Sequence, residues 1–249
     1  MIPWLGRDDP FPALETALDE PNGLLAAGGD LSVPRLLEAY RLGVFPWFNP
    51  GDPILWWSPN PRMVLFPNEF KCARSLRKRV QRGDYEVRVN NCFSQVMMAC
   101  AAPRGGQTGT WISPEMVRAY TRLHEAGHAY SFETWMPTEE SGREQGAEAR
   151  MELVGGLYGV ALGHVFFGES MFSRKTDASK MALVHLVEEL AAQGVEMIDC
   201  QMSTPHLASL GAREIARDEF SRTLARLTQK PTPQLTGGRT GCQEGVARE

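Results

Sequence analysis

The order in which strand-type and helix-type segments follow one another after Tyr85 constrains this chain most. Tyr85–Val89 alternates as a strand does, and Phe93–Ala102 reads as a helix behind an Asn91 cap. Pro114–Ala126 reads as a second helix, with Ser113 to cap it, Pro114 in its first turn and Gly127 just past its end. Strands are expected at Ala129–Trp135, Glu152–Ala161 and His164–Glu169. Ala178–Gln193 carries Met181, Leu183, Val184, Val187 and Leu190 at helical spacing. Val195–Gln201 reads as a strand, Thr204-Pro205 opens a short helix closed by Gly211, Arg213–Ile215 is a short strand, and Asp218–Leu227 a last helix. The order β-α-α-β-β-β-α-β-α-β predicts a mixed α+β domain.

The first sixty residues are of another kind, rich in Pro, Gly and Trp. They hold one clear helix: Ser32 can cap it, Pro34 sits in its first turn, Leu36, Leu37 and Tyr40 repeat at helical spacing, and Gly43 ends it. Between Phe45 and Pro59 four prolines impose an irregular backbone, and Trp47, Trp56 and Trp57 require something to pack against. The expected division is a small N-terminal domain over 1–61, a larger one over 62–230, and a tail over 231–249, Gly-, Thr- and Gln-rich, expected to be disordered. Pro137–Arg150, with six charged residues and no aromatic one, reads as a flexible extension of a hairpin.

Composition excludes several classes of function. Net charge is −4, so nucleic acid can bind only through a local patch. Five scattered cysteines with no Cys-x-x-Cys pair argue against structural zinc and a disulfide framework. There is no apolar leader segment and no run long enough to cross a membrane, so a cytoplasmic, soluble protein is expected.

Four groups of residues could carry chemistry. Asp199 and Gln201 stand two apart on a strand and are expected to share a face, with Cys200 on the other. They suit a polar site at the strand's end, or else a loop cap and a surface amide. Glu169 ends an apolar strand, where a carboxylate must be paired or solvated; it could grip a cationic group or bridge to Arg174 or Lys175. Arg74, Arg77, Lys78, Arg79 and Arg82, with Lys71, have no acidic residue among them and suit a nucleic-acid backbone, or form a solvated helix face. Trp47, Trp56, Trp57 and Trp111 are core or platforms for an unpaired base.

The element order resembles that of the GNAT acetyltransferases, which splay two central strands to admit an acyl donor; here those are His164–Glu169 and Val195–Gln201. Such enzymes cradle the coenzyme A pyrophosphate on a Gly-rich turn. The corresponding segment here, Ser170–Asp177, has no glycine, which disfavours that donor.

Leu24–Leu31, Gly43–Phe48, Ile54–Pro59, Gly109–Ile112, Gly168–Ser173 and Ile198–Gln201 together resemble the bacterial leucyl/phenylalanyl-tRNA–protein transferases, over about Pro21 to Phe220. The resemblance implies a small N-terminal domain joined to a GNAT-like one. It also implies transfer of Leu or Phe, less well Met, from aminoacyl-tRNA to proteins beginning with Arg or Lys, which marks them for degradation by the N-end rule. It places adenosine stacking on Trp47 and Trp111, the aminoacyl pocket on Leu157, Phe166, Met171, Leu186 and Ile198, and the catalytic polar groups on Glu169, Asp199 and Gln201. Family members often have Met at Leu157 and Phe at Leu186, which changes the pocket's shape. Asp199 is expected to orient and deprotonate the attacking amine, and Gln201 to bond the reacting carbonyl or the peptide backbone. The chain is expected to act as a monomer, with no cofactor and no membrane. The competing expectations are a coenzyme A-dependent N-acetyltransferase and a non-catalytic tRNA-binding protein.

Overall fold

The structure is a computed structural model that describes residues 2–103, 110–138 and 150–236. The extension over 137–150 and the tail beyond 236 therefore fall largely outside the described residues.

The proline-rich N-terminal segment is more regular than expected. It forms a four-stranded sheet of short strands, β1 (Trp4–Leu5), β2 (Leu24–Gly28), β3 (Phe45–Pro46) and β4 (Leu55–Trp57), in the order β1-β2-β4-β3. Strands of two to five residues leave no alternation to read in a sequence. Helix α1 (Val33–Leu42) lies between β2 and β3; the Ser32 hydroxyl accepts from the Arg35 amide, and Gly43 closes the helix at φ 76°. A side chain at Gly43 would also meet the Phe220 ring at 2.7 Å, so the position needs glycine for packing as well as for its backbone. Of the three tryptophans, Trp56 is fully buried and Trp47 is 39% exposed.

The second sheet has seven strands: β5 (Arg62–Leu65), β6 (Glu86–Val89), β7 (Ala129–Pro137), β8 (Met151–Leu162), β9 (Val165–Ser173), β10 (Met197–Gln201) and β11 (Arg213–Ile215). Their order is β11-β5-β10-β9-β8-β7-β6, with β9 and β10 parallel and every other pair antiparallel. Strand β9 runs four residues past Glu169, so the turn into the next helix is shorter than the sequence implied. Helix α2 (Arg74–Gln81) and helix α5 (Ala178–Ala192) cover one face, where Phe166, Leu157, Ile198 and Leu186 are buried together. Helices α3 (Phe93–Ala101) and α4 (Pro114–Glu125), with α1 and α7 (Arg217–Leu227), cover the other around Tyr158, Phe167 and Phe220. Ser113 caps α4 by accepting from Met116. The start of α3 is held differently from the Asn91 cap expected: the buried Glu133 carboxylate on β7 accepts from the Cys92 amide at 2.7 Å.

After α7 the chain stays on the body through 236. Thr232 accepts from the Gly163 amide at 2.8 Å and Leu235 is 1% exposed. The first residues of the supposed tail are therefore part of the packed structure. Among the described residues no helix is long and apolar enough to cross a membrane.

Candidate active site

The central feature is a gap between two parallel neighbours. β9 and β10 pair at Val165–Met197, Phe166–Ile198 and Phe167–Asp199, and the pairing stops there. Beyond that point β9 keeps its ladder with β8 as far as Ser173, while β10 keeps its pairing with β5 through Gln201. Both strands carry an irregularity where they part. On β9, Ser170 faces Tyr158 and Gly168 faces Gly159, so Glu169 is the extra residue of a bulge. On β10, Gln201 faces Met63 and Asp199 faces Val64, so Cys200 is the extra residue of another. Bulges re-aim side chains and end pairing, and here two of them flank one opening.

A cavity of about 270 Å³ fills this opening. Leu65, Leu157, Phe166, Met171, Leu183, Leu186 and Ile198 make its apolar wall, on the α5 side of the sheet. Tyr158, Gly168, Glu169, Ser170, Cys200 and Gln201 line it where the strands part, and Thr204, His206 and Leu207, at and within helix α6 (Pro205–Ser209), lie at its edge. The five positions that the family resemblance assigned to an aminoacyl pocket thus share one cavity.

The polar residues depart from the sequence reading. Asp199 and Gln201 were expected to share a face, but the bulge breaks the alternation: Gln201 takes φ 57° and lines the cavity beside Cys200, while Asp199 does not. Asp199 is fully buried. Its two oxygens accept from Arg62 Nε at 2.8 Å and Nη2 at 2.6 Å, and one of them also accepts from the Gln201 amide at 3.0 Å. Arg62 is itself 1% exposed and lies over the rings of Phe45 and Phe220. The pair therefore holds the Gln201 backbone in its left-handed conformation, which a non-glycine residue adopts only under constraint. Among the described residues the Gln201 side-chain nitrogen is buried without a hydrogen-bond partner, as is the Tyr158 hydroxyl. Burial pushes the Cys200 thiol well up, which leaves it protonated and inert as a nucleophile.

Glu169 bridges to neither Arg174 nor Lys175. Its carboxylate lies 2.7 Å from the Tyr40 hydroxyl and 3.1 Å from the Tyr120 hydroxyl and can accept from both. The two hydroxyl oxygens are also in contact, a third contact that two phenolic protons cannot fill while Glu169 is ionised and accepts from both. Burial raises Glu169 to about 7, against the lowering effect of the two tyrosines; Asp199 adds to the rise and Arg62 opposes it. Tyr40, Tyr120, Tyr158 and Arg62 were not singled out from the sequence. Tyr40 reads there as one more apolar position of α1, because periodicity reports which way a side chain points and not what its polar tip meets.

The remaining candidates are not among the residues that line the cavity. Trp47 stands edge to face with Trp57 at 5.5 Å, and Trp111 is partly buried against the core. Arg74, Arg77, Lys78 and Arg82 are exposed on and just after α2, whereas Arg79 is paired with Asp84.

The leucyl/phenylalanyl-tRNA protein transferase family model matches residues 64–225, and the model of that family's N-terminal domain matches residues 29–60. The chain belongs to this family. A leucyl/phenylalanyl-tRNA–protein transferase of Chromobacterium violaceum is 60% identical over 233 residues, 94% of this chain and 94% of that one. One of Nitrosospira multiformis is 63% identical over 227 residues, 91% of this chain and 92% of that one. Family membership makes the chain an aminoacyltransferase. Among solved structures, L-PGS from Bacillus licheniformis overlays at TM-score 0.37 with 13% identity, over 72% of this chain and 53% of that one, too loosely to carry an argument.

Proposed function

We propose that this transferase moves Leu or Phe, and less well Met, from aminoacyl-tRNA to the α-amine of proteins that begin with Arg or Lys, in the cytoplasm, marking them for N-end-rule degradation. The observation that carries this reading is the cavity itself. It is apolar on one side, ends at an unpartnered amide and a carboxylate, and opens where two parallel strands part as they do in GNAT-like acyltransferases. At about 270 Å³ it falls just below the roughly 300–1,000 Å³ typical of small-molecule sites, which suits a small apolar group.

In this reading the amino-acid side chain enters the wall formed by Leu157, Phe166, Met171, Leu186 and Ile198. Its ester then lies in the gap, beside Gln201. The ester is already activated, and an α-amine with a pKa of about 7.7–8 is partly neutral at cellular pH. Holding the two reactants together therefore supplies much of the rate, since such positioning is worth roughly 7–11 kcal/mol. As the amine adds, charge develops on the ester carbonyl oxygen. The buried Gln201 nitrogen donates to it without having to leave another partner. Asp199 and Arg62 fix the backbone that carries that side chain. This revises the role expected for Asp199, because both its oxygens are already engaged and it does not line the cavity. Trp47 and Trp111 stack on the terminal adenosine, and the cations of α2 run along the tRNA backbone.

A coenzyme A donor fits less well. The turn before α5 has no glycine, and it places the Asp177 side chain, paired with Lys180 at 2.7 Å, at that helix's N-cap, where backbone N–H groups would have to be open to a pyrophosphate. Incubation with labelled Phe-tRNA or labelled acetyl-CoA, each with an Arg-initiated peptide, tests the assignment. Label is expected in the peptide from Phe-tRNA alone. Transfer from acetyl-CoA would reinstate the acetyltransferase, and binding of tRNA with no transfer would leave a binding protein.

A further inference from the structure

The cluster around Glu169 is more elaborate than a pocket wall requires. A carboxylate in this setting is expensive unless paired, yet no cation is bonded to it among the described residues. The nearest candidate, Arg62 on β5, is bonded to Asp199 through both Nε and Nη2. The groups that face Glu169 are Tyr40 from α1, Tyr120 from α4, Tyr158 from β8, Asp199 on the adjacent β10, and Arg62 beyond it. Among the described residues only the two tyrosines bond to it, one on each oxygen. A carboxylate oxygen accepts two bonds, so each retains a lone pair, and Glu169 lines the cavity.

We infer that Tyr40 and Tyr120 are positioning residues that hold Glu169 as an ionised proton acceptor at the gap, and that Glu169 takes the proton of the attacking ammonium. This rests on the transfer reading above. A phenol that donates to a carboxylate favours its charged form. Burial keeps both phenols neutral, raised far above their ordinary value, so that each keeps a proton it can give to an ionised Glu169. The carboxyl that results, at about 7, is close to the ammonium it must deprotonate.

The proton steps balance. The ammonium gives one proton to Glu169, and the neutral nitrogen forms its bond to the ester carbon. Of the two protons left on nitrogen, one passes to the ribose oxygen as the carbon–oxygen bond breaks, leaving an amide and a free hydroxyl. The proton on Glu169 then returns to solvent. Because Tyr40 belongs to the N-terminal unit, the site is incomplete without that unit.

The test is a single-turnover pH profile between pH 5.5 and 8.5 with saturating Phe-tRNA and Arg-initiated peptide. It compares wild type, Tyr40→Phe and Tyr120→Phe, with folding checked by circular dichroism. The acceptor amine is common to all three, so a difference between their acid limbs belongs to the enzyme. Each variant is expected to move the limb up by about one pH unit, the effect of one lost hydrogen bond to a carboxylate. In the free protein, carbon-13 NMR of the Glu169 carboxyl should show the same upward shift. That readout stands even if one variant folds poorly, since the other reports the same group. Limbs and NMR titrations that stay with wild type in both variants overturn the tuning. A tRNA carrying the hydroxy-acid analogue of phenylalanine, with a hydroxyl in place of the ammonium, is expected to keep the limb. Loss of the limb or of transfer with that donor assigns Glu169 to the donor's own ammonium and overturns the proton step. Absence of transfer by wild type from any aminoacyl-tRNA, with the NMR shifts intact, instead overturns the transfer reading.

Discussion

Asp199 and Gln201 stand two apart, and strand alternation would aim them together. The single extra residue at Cys200 separates them: one is locked against Arg62 and the other lines the cavity. No glycine or proline marks that bulge, so nothing in the sequence could have announced it. Their substitutions should therefore differ in kind. Gln201→Ala removes a donor that Asp199 does not depend on, and is expected to slow single-turnover transfer by about 10²-fold, as lost oxyanion donors do, with little change in urea midpoint. Asp199→Asn is expected to slow transfer as well, but also to lower stability by about 3–5 kcal/mol, because it leaves Arg62 a buried and poorly paired charge. Equal stability losses in the two variants would show that both residues are structural. Five of the seven apolar residues of the cavity wall were named through the family resemblance, and Leu65 and Leu183 were not. Tyr40 and Tyr120 were not legible, since a tyrosine on an apolar stripe looks like core until its hydroxyl is seen to meet Glu169 from another element.

At the scale of elements, the sequence showed the helices and strands after Tyr85 to within a few residues, because their periodicities and caps are strong. It missed the N-terminal sheet, whose strands are too short for a period, and it ended β9 at Glu169. The reason for the second miss is physical: Gly168-Glu169-Ser170 looks like a strand end, but β8 continues beside it and supplies the ladder. The basic run is helical and mostly exposed, with Arg79 already committed to Asp84. If α2 tracks a tRNA backbone, its free cations matter and Arg79 matters less. Arg77→Ala with Lys78→Ala is expected to reduce the salt slope of tRNA binding by between one and two, equally for tRNAs carrying Leu and Phe. Arg79→Ala is expected to change it less. An unchanged slope in the double variant would return the run to a solvated helix face.

At the scale of the molecule, the seven-stranded sheet divides the work. The α5 face supplies an apolar wall, the opposite face supplies the tyrosines and Glu169, and the gap between β9 and β10 joins them. The cost of a buried carboxylate should be visible in stability. The folded protein holds the Glu169 proton more tightly than the unfolded chain, since its value rises from 4.5 to about 7. Its contribution to stability is therefore full below pH 4.5 and is lost as pH rises towards about 7. Across that window the wild type should lose on the order of 1–3 kcal/mol relative to Glu169→Gln in urea unfolding. A difference that stays constant with pH would show that the carboxyl titrates normally. The central claim, that the ester is held in the gap, is tested most directly at Gly168. A β-carbon there would meet nothing closer than the Asp199 carbonyl oxygen at 3.7 Å, so the backbone tolerates a side chain, which must then grow into the opening. The measurement is single-turnover transfer of Phe from Phe-tRNA to an Arg-initiated peptide by Gly168→Leu, with circular dichroism and tRNA affinity as controls. A folded protein that binds tRNA as wild type does but transfers at least 10²-fold more slowly is expected, and transfer at the wild-type rate would contradict the account.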